Sequence, residues 1–155
     1  MPVIEPIDIK ATIVPKARLI GLDLGTKTIG LAVSDSAFTV ASPLQTIRRT
    51  KFTADAKQLL EIITEKNVGG IVLGLPRNMD GTEGPRAQST RAFAQNMIGK
   101  TNLPIAFWDE RLTSAEAERV LIDQADMTRK RRGEVIDKMA AAIILQNFMD
   151  FIRRL

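Results

Sequence analysis

The chain has 155 residues, the size of one domain with a single sizeable core. It contains neither cysteine nor histidine, which excludes disulfides, thiolate zinc sites and any mechanism that uses a histidine base. The formal net charge of +4 favours an anionic partner such as nucleic acid, and because aromatic residues make up only 5%, phosphate contacts should outweigh base stacking.

The first 17 residues contain three prolines, and they lack the basic start and continuous apolar run of a signal peptide. We expect them to form a flexible N-terminal extension, followed by a single domain over residues 18–155. No apolar run in the sequence reaches the roughly 18–20 residues of a membrane span. The expected location is therefore cytoplasmic, without membrane attachment.

Apolar patterning predicts three strands at the start of the domain, over residues 18–23, 28–34 and 39–47. After them it predicts a helix at 54–65, a strand at 69–74, a helix at 86–98, a strand at 104–108, a helix that begins with the capping-box pattern at Thr113, and a last helix at 134–152. Strands joined by helical crossovers pair in parallel. The sequence therefore predicts an α/β fold with a mixed five-stranded sheet, three antiparallel strands then two parallel, and helices on both faces.

Asp23 follows an apolar strand and precedes two glycines, Gly25 and Gly30, that favour a tight turn into the next strand. A carboxylate in such surroundings is costly unless a counter-charge pairs with it, and a metal ion is one such partner. The alternative is an aspartate that accepts hydrogen bonds from the N–H groups of the turn. The pattern Asp-x-Gly-Thr also begins the phosphate-binding hairpin of actin-like ATPases and sugar kinases, so it does not by itself separate a nuclease from a kinase.

Other acidic residues also lie in apolar settings. Asp109 and Glu110 follow the predicted strand at 104–108, and because side chains alternate along a strand, only one of them should face a site; Glu110 is favoured and Asp109 is the reserve. Asp137 shares a helical line with apolar residues that should face the sheet. Alternatively, these acids simply favour helix N-termini. Asp23, Glu110 and Asp137 together predict a catalytic site for Mg²⁺ or Mn²⁺, ions that carboxylate oxygens suit.

Two segments are candidates for substrate binding. The loop at 75–85 is long for a link between a strand and a helix, and long loops above strand ends often bind ligands. A basic cluster precedes the helix that carries Asp137, where it would grip a nucleic-acid backbone or, alternatively, form only a solvated surface. The predicted substrate contacts are Lys27, Arg77, Asn78, Thr82, Arg111, Thr113 and the basic cluster of Arg129, Lys130, Arg131 and Arg132.

The order and spacing of four segments resemble the YqgF-type pre-16S ribosomal RNA nuclease family, which is also described as Holliday-junction-resolvase-like. The matching segments are residues 21–35, 71–84, 108–113 and 137–146. The resemblance implies a ribonuclease H-like fold, nucleolytic maturation of the 5′ end of 16S ribosomal RNA, and acidic site positions at Asp23, Glu110 and Asp137. Family members often have Lys-Arg where this chain has Lys27 and Thr28, so any phosphate contact by that arginine is lost here.

The carboxylates and the positive charge predict a metal-dependent nuclease whose partner is nucleic acid, and the resemblance implies RNA rather than DNA, with pre-ribosomal particles as its setting. One alternative is a DNA junction resolvase, for which a homodimer would be expected because a four-way junction needs two cuts. The sequence does not specify a dimer interface, so the oligomeric state stays open. A second alternative is a non-catalytic RNA-binding factor for ribosome assembly. An actin-like ATPase is disfavoured, because the chain is too short for a second lobe.

Overall fold

The computed structural model describes residues 3–112 and 129–154. The strands are β1 (Val3–Ile4), β2 (Arg18–Leu24), β3 (Thr28–Ser34), β4 (Ala41–Arg48), β5 (Val68–Leu75) and β6 (Ile105–Asp109). The α-helices of the described part are α1 (Ile9–Thr12), α2 (Phe52–Glu65), α3 (Pro85–Ile98) and α4 (Arg129–Arg153). Short 3-10 turns at Pro6–Asp8 and Glu110–Leu112 follow β1 and β6.

The strands form one mixed sheet in the order β1-β6-β5-β2-β3-β4. β2, β3 and β4 pair antiparallel, while β5 pairs in parallel with both β2 and β6, which confirms the predicted succession of strands. β5 is buried along its whole length, as its continuous apolar run predicts for a central strand covered on both faces. Pro43 lies in β4 at the edge of the sheet, where a missing N–H donor is tolerated.

The sheet has six strands rather than the predicted five, because residues near the N-terminus join it. Val3 and Ile4 pair in parallel with Ile105 and Ala106 of β6, and Ile9 is fully buried. The N-terminal segment was predicted to be a flexible extension, but part of it covers the otherwise open edge of β6. Covering that edge satisfies backbone groups that would otherwise invite pairing with another chain.

Helices cover both faces of the sheet, as predicted. On one face, α2 and α3 pack with the sheet around a core that includes Leu59 and Phe93. On the other face, α1 and α4 enclose a second core that includes Trp108, Leu145 and Phe148. The long helix α4 crosses β2, β3 and β4, so whatever its N-terminal half carries lies near the carboxyl end of β2.

Helix α4 begins at Arg129, five residues before the predicted start at Glu134. The earlier start is reasonable because Arg and Lys are good helix formers, and one interior glycine, Gly133, costs only about 1 kcal/mol relative to alanine. Within residues 3–112 and 129–154, none of the helices has the length and apolar character needed to cross a bilayer.

Candidate active site

The side chain of Asp23 lies on the face of the sheet that α4 covers. Asp23 pairs directly with Gly30 across the antiparallel ladder of β2 and β3, and directly opposed residues present their side chains on the same face. A Cβ atom on Gly30 would overlap the backbone carbonyl of Asp137 in α4. The absence of a side chain at Gly30 therefore lets α4 approach the sheet closely enough to bring Asp137 beside Asp23.

Asp23 and Asp137 interact electrostatically. The pKa of Asp23 is raised to about 6, mainly by burial and next by the neighbouring charge of Asp137, against a lowering by Arg86. Asp137 accepts a hydrogen bond of 2.5 Å at Oδ2 from the hydroxyl of Thr28, which fixes the orientation of its carboxylate. Two like charges in a poorly solvated place repel each other, and a bound cation would relieve that repulsion.

Glu110 and Asp109 lie on different sides of the end of β6. The side chain of Glu110 extends over Gly74. A Cβ atom added to Gly74 would lie 2.5 Å from Glu110 Oε1 and 2.6 Å from the side chain of Ile144 in α4. Asp109 instead pairs with Arg111, with 2.7 Å between Nη2 and Oδ2, and this hydrogen bond lowers the pKa of Asp109. Glu110 therefore shares the α4 side of the sheet with Asp23, and the geometry favours it over Asp109.

The three predicted carboxylates converge on one face of the sheet without closing into a metal cage. Among the side chains that the structure describes, those of residues 3–111 and 136–154, no three acidic groups lie close enough together to hold an ion. The donor set nevertheless suits a hard divalent cation, because it consists of carboxylate oxygens and the chain has no histidine or cysteine. Asp23 and Asp137 are the pair with which such an ion would fit best.

The loop after β5 is held together by its own side chains. Asn78 Nδ2 donates to the Thr82 hydroxyl at 2.9 Å, and that hydroxyl donates to Asp80 at 2.6 Å. Arg77 lies 3.4 Å from Glu83 and 3.8 Å from Asp109. These contacts stabilise the loop itself, so substrate binding by Arg77, Asn78 and Thr82 stays a prediction, and it would require their present partners to be exchanged.

The structure describes some of the other predicted substrate contacts fully, some only in their backbone and one not at all. Lys27 is exposed in the turn between β2 and β3, and Arg111 is exposed beside the loop, where its Nη1 donates to the Met79 carbonyl at 3.4 Å. Thr113 lies outside the described residues. The backbone of the basic cluster at 129–132 forms the start of α4. The side chains of that cluster lie outside what the structure describes, so its role stays a prediction.

Three residues near Asp23 were not singled out from the sequence as site residues. Thr28 orients Asp137, although it was noted only as a departure from the family pattern. Arg86 acts on the charge of Asp23, and Arg49 donates from Nη1 to the Gly25 carbonyl at 2.5 Å. Periodicity could not reveal these contacts, because they join residues that are distant in the sequence. The one available signal for Arg49 was that it lies among basic residues, Arg48 and Lys51, just after the predicted strand at 39–47.

The raised pKa of Asp23 predicts an unusual pH dependence of stability for the metal-free protein. The native state binds the proton of Asp23 more tightly than the unfolded state, so this residue's contribution to the free energy of unfolding falls as pH rises from about 4 to about 6. Asp23→Asn should remove that contribution and stabilise the metal-free protein at pH 7 by on the order of 2 kcal/mol. Thermal melts of both proteins with a chelator, between pH 4 and 8, measure the difference. Parallel curves would contradict the prediction.

The topology and the position of the site define a class of protein. RuvC from Thermus thermophilus, solved with a Holliday junction substrate, matches with a TM-score of 0.53 and 12% identity, covering 83% of this chain and 91% of RuvC. The yeast mitochondrial Holliday junction resolvase Ydc2 matches with a TM-score of 0.53 and 15% identity, covering 96% of this chain and 85% of Ydc2. The fold is therefore ribonuclease H-like, as the sequence resemblance implied.

Sequence comparison identifies the family. The RuvX family model, described as a Holliday junction resolvase, matches residues 17–151. A relative from Phenylobacterium zucineum is 56% identical over the full length of both chains, and one from Paracoccus denitrificans is 59% identical over 96% of this chain and 94% of its own; both are named "Putative pre-16S rRNA nuclease". The chain belongs to the RuvX family, as do these relatives by their similarity to it. It is a nuclease, a hydrolase of phosphodiester bonds.

Proposed function

We propose that this chain uses a divalent metal ion, Mg²⁺ or Mn²⁺, to cleave precursor 16S ribosomal RNA during maturation of its 5′ end. The observation that carries the proposal is the pair of carboxylates, Asp23 and Asp137, whose mutual repulsion in a largely buried place calls for a cation. The name shared by the relatives supports RNA as the substrate. Pre-ribosomal particles, in which that RNA matures, are the setting that we propose with it.

Asp23, Asp137 and Glu110 are the residues that would hold the ion. When bound, the ion would lower the pKa of a water molecule and offset negative charge on the leaving oxygen. Asp23 contributes a carboxylate from a rigid strand, and Thr28 holds the carboxylate of Asp137 in one orientation. The chain has no histidine to act as a base. Attack of water on phosphorus, with departure of the 3′ oxygen, would leave a 5′-phosphate and a 3′-hydroxyl.

A DNA four-way junction is the second candidate substrate. The family description and the likeness of fold to junction resolvases favour it. The same carboxylates would perform the same hydrolysis on DNA, since the scissile group is a phosphodiester in both cases. Two paired cuts would then require two copies of the chain, so a junction-cutting activity should coincide with a dimer in solution.

The experiment that decides between these substrates is a cleavage assay with purified protein. Precursor 16S RNA and a synthetic four-way DNA junction are each incubated with Mg²⁺, with Mn²⁺ and with a chelator, and the product ends are mapped. We expect metal-dependent cuts in the RNA that carry 5′-phosphates, with little cleavage of the junction. Paired cuts in the junction alone would favour the resolvase. Binding of RNA without cleavage under any metal would indicate a non-catalytic assembly factor.

A further inference from the structure

A cleft lies at the carboxyl end of β2, and none of the predicted substrate contacts lines it. Its volume is about 400 Å³. It begins at Leu24, one residue after Asp23, and three parts of the chain meet there: the turn after β2, the link between β4 and α2, and the first turn of α3. The lining residues are Leu24, Gly25, Thr26, Arg49, Thr50, Pro85, Arg86 and Ser89.

Two arginines line the cleft and bond to neighbouring carbonyl groups. Arg49 Nη1 donates to the Gly25 carbonyl at 2.5 Å, and Arg86 Nη2 reaches the Leu24 carbonyl at 3.5 Å. A guanidinium has five N–H donors, so each arginine keeps several for another acceptor. Within the described parts of the chain, neither is within ion-pair distance of a carboxylate, unlike Arg91, which pairs with Glu83 at 2.6 Å. The cleft therefore holds two positive charges with no carboxylate of the described residues in direct contact, although the charge of Arg86 also acts on Asp23 over a longer distance.

The backbone around the cleft is fixed in place. The N–H of Arg49 donates to the Lys27 carbonyl at 2.9 Å, which ties the link after β4 to the turn after β2. Both the N–H and the hydroxyl of Thr50 donate to the buried Asp55, at 3.1 and 3.3 Å. A site whose walls are held this way loses little freedom when a ligand binds.

The start of α3 adds to the positive potential. Gly84 occupies the N-cap position and offers no side chain to the free N–H groups of the first turn. The N-terminus of a helix carries a partial positive charge and favours anions. Together with Arg49 and Arg86, it makes the cleft a place where a phosphate is strongly preferred over a neutral ligand.

We infer that this cleft binds a backbone phosphate of the substrate strand next to the one that is cleaved. The inference rests on the proposed function, because a phosphodiester chain whose scissile group lies at Asp23 must continue on either side of it. Arg49 and Arg86 are then the binding residues, and each can present two parallel donors to phosphate oxygens. Because RNA and DNA share the phosphate, the cleft contributes to affinity for both and does not discriminate between them.

Binding of a fluorescein-labelled single-stranded RNA, and of the DNA of the same sequence, tests the inference, with Ca²⁺ replacing Mg²⁺ to prevent turnover. Arg49→Gln and Arg86→Gln should each reduce the log–log salt dependence of affinity by roughly 0.7, the value for one lost phosphate contact on a single strand. The reduction should be equal for RNA and DNA. Arg18→Gln, which removes the same charge at the opposite, exposed end of β2, should leave the slope unchanged.

A second pair of variants does not depend on the arginine contacts. Ser89→Asp adds a negative charge to the cleft from an exposed helical position, and Ser89→Asn is its uncharged match. We expect severalfold weaker binding for Ser89→Asp only. The inference is overturned if Ser89→Asp binds like Ser89→Asn, or if the slopes of both arginine variants equal that of Arg18→Gln. Arginine-dependent binding without metal-dependent cleavage would overturn the proposed function alone, and no binding by the unmodified protein would overturn both.

Discussion

Replacing Asp23 by Asn is expected to slow metal-dependent cleavage of RNA by roughly 100-fold or more, the loss typical of removing one preorganised charged or polar group from a catalytic site. Asp137→Asn should cause a similar loss, because the two carboxylates act on each other and would share the ion. The double variant should be little worse than either single one, since residues that work as a unit are not additive. Single-turnover cleavage rates at saturating Mg²⁺ measure these effects.

Asp109→Asn is the matched control for the carboxylate variants. This substitution removes one negative charge, as the other carboxylate variants do, from the residue next to Glu110. The side chain of Asp109 pairs with Arg111 on the other side of the end of β6, so cleavage should be retained. Glu110→Gln should instead lose activity. The assignment of Glu110 is wrong if Asp109→Asn abolishes cleavage and Glu110→Gln does not. Misfolding is excluded as the cause if metal-free Asp23→Asn melts above the unmodified protein at pH 7, as its pKa predicts.

Much of the sheet could be predicted from the sequence because its strands are marked by local chemistry. The predicted segments at 18–23, 28–34 and 69–74 agree with β2, β3 and β5 to within one residue at each end. Apolar continuity marked the buried strand β5, and glycines marked the turn between β2 and β3. The parallel pairing followed from the intervening helices, since a helical crossover returns the chain in the same direction.

The N-terminal strand could not be predicted in the same way. Val3–Ile4 is two residues long and has no periodicity, and its place in the sheet depends on the open edge of β6, about 100 residues further along the chain. The three nearby prolines argued for a loose segment, and this argument missed the burial of Ile9. Pairing between distant segments outweighed local composition here.

The site was less predictable than the sheet, because its contacts join distant segments. Apolar surroundings singled out Asp23 and Asp137, but the contact that orients Asp137 comes from Thr28, 109 residues away in the sequence. Arg86 was assigned only to the start of a helix, since its interaction with Asp23 exists only after α3 has packed on the sheet. A sequence pattern identifies which residue types are costly to bury, and it does not identify the partners that compensate for the cost.

Gly30→Ala, which adds a single methyl group, is expected to lower both the melting temperature and the rate of cleavage. The added Cβ would overlap the backbone carbonyl of Asp137, and backbone atoms of a packed helix move only with the helix. Overpacking of this kind costs about 1–3 kcal/mol, which lowers the melting temperature of a chain of this size by several degrees. Displacing Asp137 by about 1 Å should also slow cleavage by roughly 100-fold.

Gly99→Ala is the control for the same chemical change. Gly99 ends α3 with an ordinary helical backbone, and the nearest atom to an added Cβ lies 3.7 Å away, so stability should be unchanged or slightly higher. Thermal melts and single-turnover rates for the two variants separate a general effect of alanine from the loss of close packing under α4. If Gly30→Ala melts and cleaves like Gly99→Ala, the close approach of α4 to the sheet is not what brings Asp137 to Asp23, and the geometry proposed for the site fails with it.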